Sequence, residues 1–361
     1  MKLLHVVGTR PNFVKMAPVI AALRAVDPGG RHVLVHTGQH YDRMMSGIFL
    51  EELGVPEPDH MLGVGSGSHA QQLGGVLEAI APVLTGERPD LVIVPGDVNS
   101  TLAAALACAH LRIPVAHVEA GLRSFDRTMP EEVNRVLTDQ VSELLFTHSP
   151  EAAANLAAEG IRGDRVHQVG NTMIDSLVAL EGRFRGRGAC AGHGLDPGTY
   201  LLVTLHRPAL VDGPMLGAAI DALAAVSESM PVLFPVHPRT RAALDERASA
   251  LPEGLLLVDP VGYLDFLSLE ADARAVLTDS GGIQEETTYL GVPCFTLRDN
   301  TERPITVEQG TNVLLGLDPA RIAEVPGLVA GGHAGPAEPP PLWDGRAAER
   351  LAAIVIGRDR A

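Results

Sequence analysis

Cysteine is scarce in this chain. Cys108, Cys190 and Cys294 stand far apart and none belongs to a CxxC pair. That excludes a disulfide framework and a thiolate zinc site, and it predicts a reducing cytosol as the compartment. Basic charge is also short, with 28 Lys and Arg against 44 Asp and Glu and a formal net charge of −16. A nucleic-acid surface needs a basic footprint, so nucleic acid is excluded as a partner. An anionic ligand would have to be held by a local group of Arg, His and backbone N–H donors. Long apolar runs are missing as well. After Met1 and Lys2 only Leu3 to Val7 precede Gly8-Thr9-Arg10-Pro11, too few for a signal-peptide core. Nothing approaches the roughly eighteen apolar residues of a membrane span. These absences predict a soluble cytoplasmic protein without a membrane partner.

What is present is material for a core. Hydrophobic residues make up 46% of the chain and charged residues 20%, a globular composition. The 361 residues suffice for two domains. Short β-branched runs without alternation predict strands at 2–7, 32–36, 91–94, 114–118, 144–147 and 166–169 in the first half. In the second half they predict strands at 200–205, 231–236, 255–258, 275–278 and 293–297. Helical stretches such as 101–110 and 131–141 lie between them. Unalternating apolar strands separated by helices indicate parallel sheets covered on both faces. Right-handed crossovers then give a doubly wound Rossmann-like α/β sheet in each half. The Gly- and Arg-rich stretch 182–194 predicts a connection between a domain at 1–181 and one at 195–335. After a Gly-, Ala- and Pro-rich stretch at 325–341, residues 344–356 predict a terminal helix with Ala347, Leu351 and Ile354 on one face. No short-period repeat is present.

In open parallel sheets ligands bind beyond the carboxyl ends of the strands. The expected strands end in Gly8-Thr9-Arg10-Pro11-Asn12, Thr37-Gly38-Gln39-His40, Gly96-Asp97, Glu119-Ala120-Gly121, His206-Arg207, His237-Pro238-Arg239 and Asp279-Ser280-Gly281-Gly282. Polar and glycine residues thus recur at one edge of both sheets, which predicts two domains facing across a cleft. Residues 278–286 open a helix whose glycines and free N–H groups suit a phosphate, with Glu286 placed to accept a ribose hydroxyl. The alternative is an ordinary Asp or Ser cap. Arg10 and Lys15 flank the first strand–helix turn and are candidates for the local anion site. Asp97 and Glu119 end neighbouring strands; converging carboxylates raise each other's pKa, so one can serve as acid and the other as base. Glu131 is a third candidate, although an acid in a first helical turn also complements the dipole.

Several of these segments resemble a known family. Gly8-Thr-Arg-Pro-Asn-Phe-Val-Lys-Met-Ala-Pro18, Gly96-Asp-Val-Asn-Ser-Thr101, His117-Val-Glu-Ala-Gly-Leu-Arg123, Met129-Pro-Glu-Glu-Val-Asn-Arg135, Val203-Thr-Leu-His-Arg-Pro208, Asp279-Ser-Gly-Gly-Ile-Gln-Glu-Glu286 and Arg298-Asp-Asn-Thr-Glu-Arg-Pro304 are similar to motifs of the non-hydrolysing UDP-N-acetylglucosamine 2-epimerases. The resemblance runs in order to about residue 316. It implies the glycosyltransferase-B fold, a homodimer, and a C-terminal helix (344–361) returning to the first domain. It implies interconversion of UDP-GlcNAc and UDP-ManNAc without metal or redox cofactor, in supply of bacterial surface polysaccharide. Carried over by motif, Asp97, Glu119 and Glu131 are the catalytic acids, and His206 assists near the diphosphate. Arg10, Ser280, Gly281 and Gly282 hold the diphosphate, Phe266 lies by the uracil and Glu286 binds the ribose. Lys15, Arg135, His40, His237 and Arg303 complete the substrate-binding set.

Two departures stand out. Ala209-Leu210 follow His206-Arg207-Pro208 where the family has polar residues. Asp42 and the stretch 63–68 occupy the places of a Gln and an Arg that members activated by a second UDP-GlcNAc carry. Three rival readings remain open at this point: a hydrolysing 2-epimerase releasing ManNAc and UDP, a sugar-nucleotide transferase of the same fold, and a non-enzymatic sensor.

Overall fold

Seven strands form the first sheet: β1 (Lys2–Val7), β2 (Arg31–His36), β3 (His60–Met61), β4 (Leu91–Pro95), β5 (Val115–Val118), β6 (Leu144–Thr147) and β7 (Val166–Gln168). All pair in parallel, in the order 3-2-1-4-5-6-7. Leu3, Leu4, Val6, Val7 and Leu91 to Val94 are no more than 2% exposed. Successive side chains point to opposite faces, so both faces are covered. The covering helices are α1 (Arg10–Val26), α2 (His69–Glu87), α3 (Asn99–Leu111), α4 (Pro130–Val141), α5 (Pro150–Ala158) and α6 (Thr172–Phe184). The small residues Ala103, Ala104, Ala105, Ala107 and Cys108 make α3 slim enough to be buried between its neighbours α2 and α4.

The second sheet contains β8 (Leu201–Thr204), β9 (Val232–Pro235), β10 (Leu255–Val258), β11 (Ala275–Thr278), β12 (Cys294–Thr296) and β13 (Asn312–Leu314), in the order 10-9-8-11-12-13. Both sheets therefore repeat the doubly wound order, with a switch point between β1 and β4 in one and β8 and β11 in the other. Its helices are α7 (Pro208–Val211), α8 (Met215–Ser227), α9 (Tyr263–Asp272), α10 (Gly281–Leu290), α11 (Pro304–Glu308) and α12 (Val325–Ala330). Finally α13 (Ala347–Arg358) packs against α1. This computed structural model describes residues 1–38, 51–211, 213, 215–236, 240–241, 244, 251–332 and 338–358. The chain divides into two compact units, Met1–Ala179 with Pro341–Ala361 and Leu180–Pro340.

The structure corrects the sequence reading in four places. Strands β3 and β13 were not expected; each is an edge strand of two or three residues, too short to leave an apolar run. The 182–194 stretch is not plain connection: Phe184 ends α6 fully buried, and Cys190 is buried in a 3-10 turn at Ala189–His193. Residues 325–330, within the Gly-, Ala- and Pro-rich stretch, form α12. In α13 the buried stripe is Ala347, Ala348, Leu351, Ala352, Val355 and Ile356, while Ile354 is only half-buried. Docking on α1 sets that phase, and the Asp175 carboxylate caps the helix by accepting from Ala347 N at 3.1 Å and Ala348 N at 2.6 Å.

Candidate active site

In the first unit the site grows from the turn between β1 and α1. A Cβ on Gly8 would lie 2.4 Å from Ser100 Oγ, so only glycine lets this turn rest on α3. Asn12 Oδ1 accepts from Gly8 N at 3.1 Å, and its Nδ2 donates to the Pro95 carbonyl at 3.3 Å. The first turn of α1 is thereby tied to the end of β4. On the same helix Lys15 is buried and its ammonium donates to the Glu119 carboxylate, just past β5. Asp97, just past β4, accepts from Arg135 Nη2 at 2.6 Å, and its carbonyl accepts from Asn134 Nδ2 at 2.9 Å. Each of the two carboxylates lies against a cation: Glu119 against Lys15, and Asp97 against Arg135, which also pairs with Glu132. Both cations come from helices that belong to other strands: Lys15 lies on α1, which follows β1, and reaches the end of β5, and Arg135 lies on α4, which follows β5, and reaches the end of β4.

Glu131 is half-buried in the first turn of α4 and makes no hydrogen bond or ion pair among the described contacts. Its neighbour Glu132 is 2% exposed and accepts from Ser124 N at 2.8 Å, Phe125 N at 3.0 Å and Arg135 Nη1 at 2.8 Å. Sequence reasoning missed Glu132. Helical phase could have found it, since 132, 135 and 139 share a face while 131 lies about 100° away. Arg10 is exposed at the first position of α1. His40, Asp42 and His237 lie outside the described residues.

In the second unit Asp279 closes β11 at the switch point with no solvent exposure. Its Oδ2 accepts from His206 N at 2.9 Å and Arg207 N at 2.8 Å, and its Oδ1 lies 2.9 Å from His206 Nδ1. Burial would push this carboxyl up, but the His206 ring and the two N–H donors outweigh it and hold it below the usual carboxylate range. The His206 side chain is left 56% exposed at the strand end. Ser280 takes the N-cap position of α10, yet its hydroxyl makes no capping bond, so the ordinary-cap alternative does not describe it. Gly281 follows, and a Cβ there would meet Arg303 Nη1 at 2.5 Å. The Arg303 guanidinium therefore lies against the N-terminal end of α10. A buried cation beside the positive end of a helix is repelled unless anions neutralise it. Glu285 at 3.1 Å and Glu302 at 3.4 Å do part of this, and Arg298 shares Glu302 through two bonds of 3.0 and 2.7 Å. The free N–H groups of α10 together with Arg303 form a cradle suited to a phosphate.

Glu286 lies further along α10, 3% exposed, and accepts from the Tyr263 hydroxyl at 2.9 Å. Burial pushes its carboxyl up to about 7. Behind it Glu270 is fully buried and held well above its ordinary range, by burial and then by Glu286. Phe266 on α9 is half-buried against an apolar cluster that includes Tyr200, Leu202 and Leu269. Among the described residues no group of three or more His, Cys, Asp or Glu could hold a metal ion. Nor is any described helix long and apolar enough to cross a membrane.

Comparison with known proteins extends these observations. A family model described as UDP-N-acetylglucosamine 2-epimerase matches residues 24–356. A UDP-N-acetylglucosamine 2-epimerase of Methanococcus maripaludis is 44% identical over 327 residues, 88% of each chain. A UDP-2,3-diacetamido-2,3-dideoxy-D-glucuronate 2-epimerase of Pseudomonas aeruginosa is 43% identical over 321 residues, again 88% of each. The crystal structure of the Methanocaldococcus jannaschii UDP-GlcNAc 2-epimerase, in complex with UDP-GlcNAc and UDP, superposes with a TM-score of 0.90. It is 41% identical, covering 99% of this chain and 100% of that one.

Proposed function

This chain belongs to the UDP-N-acetylglucosamine 2-epimerase family, and from that premise we propose that it interconverts UDP-N-acetylglucosamine and UDP-N-acetylmannosamine. The observation that carries the proposal is the pair of carboxylates, Asp97 and Glu119, ending neighbouring strands, each held by a cation. The sugar C2–H is not adjacent to a carbonyl, so direct removal of its proton would leave an unstabilised carbanion. Departure of UDP from C1 with the bonding pair builds oxocarbenium character that acidifies this hydrogen. One carboxylate then takes the proton, and the C–H electron pair closes the double bond of 2-acetamidoglucal. UDP adds back at C1 while a carboxylic acid delivers a proton to the opposite face of C2.

In this reading the second unit carries the nucleotide. Ser280 to Gly282 and Arg303 stabilise the charge that develops on the departing diphosphate, with His206 beside it. Glu286 takes the ribose hydroxyls and Phe266 lies by the uracil. Arg10 supplies a further cation from the first unit. Glu131 is the third acid, and the lack of a partner for it among the described residues suits a group that must gain and lose a proton. The working enzyme is a homodimer supplying ManNAc-type sugars to surface polysaccharide.

A second substrate has a specific observation in its favour. The Pseudomonas relative, named for a diacetamido-glucuronate, is within one percentage point of the Methanococcus enzyme in identity, 43% against 44%. NMR of the purified chain in D2O, offered each UDP-sugar in turn, separates the readings. The expected product of UDP-GlcNAc is UDP-ManNAc carrying deuterium at C2. Turnover of the diacetamido-glucuronate alone moves the assignment to that substrate. Release of free ManNAc and UDP makes the enzyme hydrolytic, and inertness toward both refutes the epimerase.

A further inference from the structure

His117 lies on β5 with its side chain wholly buried between two acceptors. Nε2 stands 2.7 Å from the Gly96 carbonyl, and Nδ1 stands 2.7 Å from Asp139 Oδ1. A carbonyl oxygen only accepts, so Nε2 carries a hydrogen. Asp139 is a carboxylate: burial would push its carboxyl up, but His117 and then Arg123 outweigh it and hold it below the usual range. It too accepts, so Nδ1 also carries a hydrogen, and the ring is an imidazolium. Charge around it balances. Arg123 lies 2.8 Å from Asp139 Oδ2 and grips Glu159 through two bonds of 2.7 Å, leaving two cations against two carboxylates.

The place of this group in the fold gives it a task. The Gly96 carbonyl belongs to the turn that carries Asp97, and Asp139 Oδ2 accepts from Gly121 N at 3.1 Å, in the turn that carries Glu119. Both turns use left-handed backbone, with φ of +64° at Gly96 and +69° at Glu119. For Glu119, a residue with a side chain, that conformation is costly and persists only where surrounding contacts impose it. Asp139 sits on α4 one turn beyond Arg135, which holds Asp97 directly. One buried carboxylate thus grips one turn by itself and the other through the His117 ring.

We propose that His117 is a positioning residue for the epimerisation: as a buried imidazolium it locks the turns after β4 and β5 together, so that Asp97 and Glu119 keep the separation that proton removal and return at C2 require. A neutral imidazole has one N–H and could hold only one of the two acceptors. The proposal rests on the reading of Asp97 and Glu119 as the reacting acids. Its first half does not depend on that reading, because the ring can be observed directly.

The test is a nitrogen-15 spectrum of the full chain labelled in its imidazoles, with the His117 signals assigned by their loss in His117→Gln. Each ring nitrogen is expected to carry a hydrogen in the folded chain, because each faces an acceptor; one unprotonated nitrogen overturns the proposal. The same variant, which keeps an amide donor but no charge, is then assayed beside the unaltered enzyme. Misplacement of a reacting group by about 1 Å costs on the order of a hundredfold, so kcat should fall at least about tenfold while UDP affinity stays within about twofold. A folded His117→Gln with kcat within about twofold of the unaltered enzyme also overturns it. Should that variant fail to fold, the ring spectrum, assigned through Asp139→Asn, decides alone. If the unaltered enzyme turns over no UDP-hexosamine, the functional reading has failed instead, and the spectrum still reports on the ring.

Discussion

Lys15 and Glu119, 104 residues apart in sequence, form an ion pair with side-chain exposures of only 7% and 8%. The pair joins the first helix of the chain to the end of β5, and it stands one strand away from Asp97 with its own partner Arg135.

From this arrangement Glu119→Gln and Asp97→Asn should each lower kcat by at least about a hundredfold, the usual scale for general acid–base groups. UDP affinity, read by calorimetry, should change little, because neither carboxylate is among the proposed nucleotide contacts. Near-normal rates in both variants would remove these carboxylates from the mechanism.

Glu131 and Glu132 should separate function from stability. Glu132→Ala leaves Arg135 buried without one of its carboxylates and two backbone N–H groups unpaired, a loss of about 3 kcal/mol or more in urea unfolding. Glu131→Gln should change stability by less than about 0.5 kcal/mol and lower kcat at least about tenfold. The reverse pattern would exchange the two roles.

Nucleotide binding should depend on pH through Glu286. Its carboxyl is raised to about 7 by burial, with Glu285 adding to the rise and the Tyr263 hydroxyl opposing it. The ionised form is the better acceptor for ribose hydroxyls. If only that form binds, UDP affinity rises up to about tenfold between pH 6 and pH 8. Protonation of UDP itself is common to both proteins, so the measure is the difference in slope from Glu286→Gln. Equal slopes would take Glu286 away from the ribose.

A second pH effect concerns stability of the first unit. His5 and His32 stack at 5.4 Å with rings parallel to within 1°, and burial first, then His32 and Arg24, push His5 down to about 3. The unfolded imidazole takes up its proton near 6.5, whereas the folded one stays neutral until about 3. Stability is therefore present above pH 6.5 and falls as pH drops toward 3. Integrated for one such group, the loss between pH 7 and pH 5 is about 2 kcal/mol. Urea titrations at those two values should show it, and His5→Leu should flatten the difference; an unchanged difference would assign the acid sensitivity elsewhere.

The strands were legible in the sequence because their signal is local. Runs such as Leu91 to Val94 are apolar on both faces, and the residues that follow them, Gly96-Asp97 or Asp279-Ser280-Gly281, are turn chemistry at fixed positions. Gly8 read only as a turn residue and Gly281 as part of a phosphate loop; the structure sets Ser100 against the first and the Arg303 guanidinium against the second. Strands β3 and β13 escaped because two or three residues carry no period, and pairing with an existing edge, not propensity, makes them strands.

The partners of the charged residues were not legible, although helical phase groups Glu132, Arg135 and Asp139 on one face of α4. That Asp97 faces Arg135 and Glu119 faces Lys15, that Glu132 and not Glu131 is the buried acid, and that Asp139 holds His117 all depend on which way a helix is rotated when it docks. A rotation of one residue, about 100°, would exchange Glu131 for Glu132 without altering composition or period. Unalternating apolar runs separated by helical stretches determined that two doubly wound sheets would form. Only packing of helices on those sheets decided which charges meet, because a polar side chain is positioned by the burial of its apolar neighbours and not by its own identity.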